Sequence, residues 1–267
     1  MTDAPGIPYR RTPLIRTLEH VLVEFTDPRL VAAYDTLNPY EPDAQPGYYR
    51  ELAEELGAAT IVDLGCGSGL ITCELAEHGF RMIGVEPASA MLALARARPC
   101  TGEVRWIEGE ARAIGTPNAD LAILTGHVAQ FFLTDDEWHA ALVALRRALR
   151  PGGHVAFESR NPTAREWEQW TADQRRTVHD PTAGAITTWA EVHDFRDDVA
   201  SSSLHYEFVT TGEHVVAPSA LRFRSEAELT RSLGDAGFVV EHVYGDWDRR
   251  PASTTSRELI VVARRAG

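Results

Sequence analysis

Ile61-Val62-Asp63-Leu64-Gly65-Cys66-Gly67-Ser68-Gly69 is the stretch that decides the fold. Its apolar first half reads as a buried strand that runs into a glycine-spaced turn. Leu70 to His78 then carries helical periodicity. A strand, a glycine-rich turn and a helix start together form a nucleotide-type binding corner, because glycines let the backbone approach a ligand without a Cβ in the way. A dinucleotide fingerprint wants a further glycine near position 70, where this chain has Leu70. The spacing therefore leans from a dinucleotide towards S-adenosylmethionine, which has no phosphates.

The neighbouring segments repeat the pattern. Arg81 to Glu86 reads as a second strand ending in an acid, and Glu86 stands at the offset from which an acid grips a pair of ribose hydroxyls. Pro87 is expected to open a helix over Ala88 to Ala97. Val104 to Ala111 reads as a third strand with an acidic loop, Ala119 to Leu124 as a fourth strand ending in Thr125-Gly126-His127, and Leu149-Arg150-Pro151-Gly152-Gly153 as a helix stop and turn before a fifth strand, His154 to Glu158. Strands alternating with helices predict a parallel sheet covered on both faces, with ligands at the carboxyl ends of the strands.

Asp63 to Gly69, Val85-Glu86-Pro87-Ala88-Ser89-Ala90-Met91-Leu92, Gly109-Glu110-Ala111 and Leu149 to Gly153, in this order, resemble a class I S-adenosylmethionine-dependent methyltransferase. The resemblance covers roughly residues 45–160 and, more loosely, 225–265. It identifies the superfamily and leaves the methyl acceptor open. It implies a doubly wound α/β, Rossmann-like sheet of seven strands. It also implies that Asp63, Gly65, Gly67 and Gly69 surround the methionyl part of the cofactor, with the Asp63 acid holding the amino group directly or through water. Glu110 with Ala111, after Gly109, resembles the acid that accepts the adenine amino group, although many members carry Asp there. Met91, one turn into its helix, packs either on adenine or in the core. Tyr34-Asp35 looks similar to an N-terminal segment that folds over the cofactor in related small-molecule methyltransferases.

Methyl transfer from a sulfonium needs alignment and exclusion of water more than covalent help. Catalytic signals are correspondingly sparse. Thr125 and His127 stand beside the expected methyl group, where His127 acts as a base, positions the acceptor, or only lines the pocket. Gln130 and Phe131 are candidate pocket walls. Arg160 either binds a substrate carboxylate or pairs with Glu158 and stiffens its loop.

Composition narrows the function further. The net charge of −13 argues against a nucleic-acid or anionic-membrane partner. All 26 basic residues are arginine. That excludes a P-loop lysine and a Schiff-base lysine. Cys66, Cys73 and Cys100 match neither a disulfide framework nor a metal motif, and no metal is expected. The chain opens on no signal peptide and holds no apolar run of membrane-spanning length, so a cytoplasmic monomer or homodimer is expected.

Residues 1–44 read as an N-terminal helical arm or lid, with helical spacing from Leu14 to Tyr34 and a proline-rich hinge over Asn38 to Pro46. Residues 45–267 form the cofactor-binding domain, with 162–224 as an inserted lid. In the lid, Pro162 to Arg176 is expected to be helical. Ile186 to Phe195, Ser203 to Thr211 and His214 to Phe223 are expected to form an antiparallel meander. Trp189, Glu191, His193 and Phe195 fall on one strand face, and Leu204, Tyr206 and Phe208 on one face of the next. Thr134-x-x-Glu137 and Ser225-x-x-Glu228 are capping boxes. The leading expectation is methyl transfer to an oxygen or nitrogen of a small molecule. Non-methylating chemistry on the same fold and a cofactor-binding regulatory subunit stay open beside it.

Overall fold

The computed structural model describes residues 23–39 and 45–267. The expected helix from Leu14 lies mostly outside them. Its described end holds two short helices, α1 (Pro28–Ala32) and α2 (Tyr34–Leu37). There follow α3 (Gln45–Glu55), β1 (Thr60–Leu64), α4 (Leu70–Glu77), β2 (Arg81–Glu86), α5 (Ser89–Ala97), β3 (Val104–Glu108), β4 (Ala119–Leu124), α6 (Asp135–Ala148) and β5 (Leu149–Arg160). The lid contributes β6 (Arg176–Asp180), β7 (Gly184–Arg196), β8 (Val199–Phe208) and β9 (Glu213–Arg222). The chain returns through α7 (Glu226–Asp235), β10 (Phe238–Tyr244) and β11 (Glu258–Arg265).

Seven strands form one sheet in the order β3-β2-β1-β4-β5-β11-β10, with β11 antiparallel to both neighbours. The chain reverses direction across the sheet between β1 and β4, and a cleft opens there beyond the strand ends. Period-2 alternation divides the apolar residues between two cores. Val62, Leu64, Ala122, Leu124 and Phe157 pack under α6 and α7 with Trp138, Leu142, Leu229 and Leu233. Ile61, Leu121, Ile123, Ala156 and Ile260 pack under α3 and α4 with Tyr49, Leu52 and Leu75. Burial on both faces is why these strands read as continuous apolar runs. Both capping boxes form: Thr134 with Glu137 opens α6, and Ser225 with Glu228 opens α7.

Several local expectations need correction. Residues 162–176 are not an α-helix but three single 3₁₀ turns, Pro162–Ala164, Glu166–Gln169 and Ala172–Gln174. Arg165 sits at φ 48° and breaks the helical path, while Trp167 stacks on Phe195 with ring centres 4.0 Å apart. The lid has four strands rather than three, because β6 pairs with β7 ahead of the expected meander. A bulge between Val192 and Asp194 moves Phe195 off the Trp189 face, so that it joins Val192, Trp167 and Phe223 in a separate apolar cluster. Pro87 precedes α5 without entering it, since Ala88 is the N-cap. The Leu149–Gly153 turn is part of β5, as an irregular lead-in.

Residues 23–39 pack against the main sheet domain and the lid together. Leu30, Ala33 and Leu37 share a core with Ile186, Tyr206, Phe208 and Ala217 of the lid. On the other side Val31 packs with Ala88 and Met91. Thr36 Oγ1 donates to Asp180 Oδ2 at 2.8 Å, and Arg176 donates to the Leu37 carbonyl. No helix among the described residues is long and apolar enough to cross a membrane.

Candidate active site

The glycine turn is built so that backbone donors face an acid. Gly65 and Gly67 have φ of 79° and 53°, in the left-handed region that favours glycine. The amides of Gly65 and Cys66 donate to the Val85 carbonyl at 2.8 and 3.1 Å, which ties the turn to the end of β2. Gly67 N then donates to Glu86 Oε2 at 3.1 Å, and Ala88 N donates to Glu86 Oε1 at 2.8 Å. The Glu86 carboxylate is thus held by two amides at the strand end, while burial pushes its pKa up. A Cβ on Gly67 would meet nothing closer than Met91 Cε at 3.8 Å and Tyr34 Cε1 at 4.0 Å, so the backbone here faces open space.

Asp63 lies one step behind the turn, fully buried. Its Oδ2 accepts from Thr72 Oγ1 at 2.6 Å, and its Oδ1 has no partner. Burial raises its pKa to about 7, and the nearby Glu86 and Glu158 push the same way. Glu158 is buried too. It accepts from the Tyr49 hydroxyl and from the amides of Gly126 and His127, and so fixes the loop after β4.

The N-terminal segment closes this corner. Ser68 Oγ donates to Asp35 Oδ1 at 2.6 Å, Arg98 pairs with Asp35, and Arg98 Nε donates to the Ser68 carbonyl at 3.0 Å. These bonds clamp α2 onto the glycine turn and bring Tyr34 over Gly67. Phe25 bridges Tyr34 and Phe131, with ring centres 6.0 and 6.1 Å away. Glu24, beside Phe25, accepts a hydrogen bond from the Tyr206 hydroxyl of β8 at 3.2 Å. Burial raises the Glu24 pKa to about 7.

A cavity of about 430 Å³ joins these parts. Of the residues expected at the site, Tyr34, Gly65, Gly67, Glu86, Pro87, Met91, Glu110, Ala111, Thr125, His127 and Arg160 line it. Asp63, Gly69 and Gly109 do not. Asp63 stands behind the wall. Gly69 serves packing instead, since a Cβ there would lie 2.7 Å from Trp106 and 2.8 Å from Ala95. Gly109 turns the chain at φ 145° after β3. Among the residues the sequence reading missed are Glu24, Phe25, Phe132 and Trp170, with Ala190, Ser202, Ser219 and Leu221 from the lid. The lid turns its small and aliphatic face, with Leu204, to the cavity. Trp189 faces away, stacked on His205 and under Arg175. Arg222 and Arg224 also stay out of the cavity. Arg222 pairs with Asp198 and Glu228, and Arg224 donates to the carbonyls of Phe132 and Thr134.

His127 and Arg160 stand between this cavity and a polar one of about 510 Å³ beside residues 245–258. His127 sits at φ 62°, and its Nε2 meets the Glu258 carboxylate at 3.0 and 3.1 Å. With the neutral ring protonated on Nε2, Nδ1 is its acceptor. Arg160 does not pair with Glu158. Its Nε donates to Glu166 Oε1 at 3.1 Å and its Nη1 to Gln130 Oε1 at 3.0 Å, so Gln130 braces Arg160 from outside the cavity. Among the described residues no group of three or more His, Cys, Asp and Glu is arranged to hold a metal ion.

The corner fits S-adenosylmethionine. The unpaired Asp63 Oδ1 suits an ammonium donor, the Gly67 backbone is open to close approach, and Glu86 presents a fixed acid at the cavity wall. Residues 61–153 match the family described as a methyltransferase domain. The trans-aconitate 2-methyltransferase of Azoarcus sp. (strain BH72) is 34% identical over 192 residues, 70% of this chain and 68% of the relative. The cypemycin N-terminal methyltransferase of a Streptomyces species is 25% identical over 242 residues, 90% of this chain and 97% of the relative. The CcbJ methyltransferase from Streptomyces caelestis superposes with a TM-score of 0.70 at 24% identity, covering 88% of this chain and 96% of its own. Fold, cofactor corner and relatives agree: the chain belongs to the class I S-adenosylmethionine-dependent methyltransferases.

Proposed function

We propose that the protein transfers a methyl group from S-adenosylmethionine to an oxygen or nitrogen of a metabolite-sized acceptor. The observation carrying this reading is that one cavity has the cofactor corner (Gly67, Glu86, Met91) and the lid face (Ser202, Leu204, Ser219) among its walls. A cavity covered by β7, β8 and β9 of the lid suits a small molecule better than a polymer, and the charge of −13 opposes nucleic acid.

In this reading Asp63 Oδ1 holds the cofactor's amino group, directly or through water. The Glu86 carboxylate accepts the ribose hydroxyls, Glu110 accepts from the adenine amino group, and Met91 and Ala111 pack on the ring. Gly65 and Gly67 let the backbone approach the methionyl chain, Thr125 stands near the sulfur, and Tyr34 covers it. The bound cofactor supplies an electrophilic methyl carbon with a good leaving group. The protein supplies alignment and a dry pocket. His127 and Arg160, each braced by an acid, position the acceptor.

The test has two stages. Calorimetry should show S-adenosylmethionine and S-adenosylhomocysteine binding, and NAD not binding. Incubation with fractionated metabolites and the cofactor should then yield a product heavier by one methylene unit, read by mass spectrometry. A product of unchanged mass would replace methyl transfer with another chemistry on the same fold.

A further inference from the structure

Glu24 marks the chemistry of the acceptor. It lines the cavity, yet no cation pairs with it among the described residues. Its Oε2 takes the Tyr206 hydroxyl at 3.2 Å, and its Oε1 accepts nothing among them. The same cavity is lined by aromatic rings: Phe25 beside Glu24 in sequence, Tyr34 and Phe131 with ring centres 6.0 and 6.1 Å from that of Phe25, and Trp170. The carboxylates lining the cavity are Glu24, Glu86 and Glu110, and the guanidinium lining it is Arg160, already engaged by Glu166 and Gln130. A carboxylate without a counter-ion, lining a cavity together with aromatic rings, is the complement of an ammonium group: the acid supplies the ion pair and the rings supply cation–π attraction. An anionic acceptor would face repulsion here, and a neutral hydroxyl would leave the charge unbalanced.

We infer that the methyl acceptor is a basic amine and that Glu24 is the residue that recognises it. This rests on the methyltransferase reading of the same cavity and specifies its substrate class. The chemical step then balances without a further reactant. The ammonium proton passes to the Glu24 carboxylate, the freed nitrogen lone pair forms the C–N bond, and the C–S bond breaks with its electron pair left on sulfur. The product nitrogen is again an ammonium, and Glu24 later returns its proton to water. Glu24 suits this task because burial holds its carboxyl near 7, close to the ~8 of an α-amino group and well below the ~10 of a phenol. The titratable groups facing it are Tyr206 from β8 and Tyr34 from α2, with Arg176 acting on Tyr206 and Glu86 on Tyr34.

The experiment uses the whole chain saturated with S-adenosylhomocysteine and three probes of one shape: benzylamine, benzyl alcohol and benzoate. Calorimetry first measures S-adenosylhomocysteine alone. Failure at that stage removes the methyltransferase reading itself, before any amine is added. In the complex, benzylamine should bind at least about tenfold more tightly than benzyl alcohol at pH 8, and benzoate should not bind. At pH 6 benzylamine binding should release about 0.9 proton, falling towards zero by pH 8, because Glu24 must ionise to pair with the ammonium. Glu24→Gln should erase the amine preference and the proton release while keeping S-adenosylhomocysteine affinity within about twofold. Tyr206→Phe, which keeps the carboxylate, should retain the preference. Equal binding of benzylamine by Glu24→Gln and wild type, binding of benzyl alcohol or benzoate as tight as benzylamine, or binding of none of the three would each overturn the assignment.

Discussion

Gly67 and Gly69 look equivalent in the sequence, but the structure separates them. Both have left-handed backbone, φ 53° and 75°, so an alanine at either position costs about 1–2 kcal/mol from conformation alone. At Gly67 the new methyl would touch only Met91 at 3.8 Å and Tyr34 at 4.0 Å, ordinary contacts that add no strain within the protein. It would instead project into the cavity where the cofactor is proposed to lie. At the usual overpacking cost of about 1–3 kcal/mol, this corresponds to a roughly 5–150-fold loss of S-adenosylmethionine affinity. At Gly69 the methyl would meet Trp106 at 2.7 Å and Ala95 at 2.8 Å. There the same overpacking falls on the fold, for a total of about 2–5 kcal/mol and a drop in Tm of roughly 4–20 °C. Thermal unfolding without ligand, paired with calorimetry of the folded fraction, reads both quantities. Gly67→Ala should melt about 2–8 °C below wild type and bind weakly, whereas Gly69→Ala should melt earlier still and bind normally while folded. A Gly67→Ala protein with wild-type affinity would refute the placement of the cofactor against that backbone.

Glu86→Ala should lose about 1.5–3 kcal/mol of S-adenosylmethionine affinity with the sheet intact, and unchanged affinity in calorimetry would reject the ribose role. Asp63 must be ionised to hold a cation, and its pKa is about 7, so affinity should fall about tenfold per pH unit below 7 and level off above it; Asp63→Asn should flatten that profile. For stability the sign is opposite, as for any raised carboxyl: the contribution of Asp63 to the ligand-free protein is full below its ordinary pKa and is lost as pH rises through about 7, so Asp63→Asn should shrink the fall in Tm between pH 6 and pH 8. His127→Asn keeps a residue that tolerates the left-handed backbone, and with Glu24 taking the proton, turnover should fall less than about tenfold; a loss of about 10²–10⁴-fold would return the base to His127.

The proposed cofactor half of the site was legible because it is local. Asp63 to Gly69 and Glu86 to Met91 each set their own geometry within a few residues, and the strands behind them are buried on both faces. The proposed acceptor half was not, because distant residues assemble it. Glu24 meets Tyr206 across 182 positions, and His127 meets Glu258 across 131. No local pattern announces either pair. Arg176-Thr-Val-His-Asp180 carries no clear alternation, and its strand exists because β7 offers an edge. Trp167 and Trp170 suggested a helix, but a three-residue spacing also fits the tighter 3₁₀ turn that forms. The Trp189 face does not line the cavity. The aromatic side of β7 is its outer side, and the small residues Ala190, Ser202 and Ser219 leave the room a ligand needs.

The arrangement of charge connects the two halves. Asp63, Glu86 and Glu158 are buried near one another at the cofactor end, and burial raises all three. Isolated acids of this kind cost free energy in the empty protein, and they become favourable once a cation enters. In the proposed reaction two positive charges arrive, one on the cofactor's sulfonium and one on the acceptor. As the methyl group moves, the sulfonium charge leaves sulfur and builds up on nitrogen, towards Glu24. Glu24, held by Tyr206, has by then taken the acceptor's proton, so its part is to free the nitrogen lone pair without rearrangement. In this reading the acids at the cofactor end favour the charged donor over its neutral product, which would promote exchange after each turnover. The carboxylates that favour the charged cofactor thus stand on β1 and β2, and the acid that frees the acceptor's nitrogen stands apart from them on the N-terminal segment.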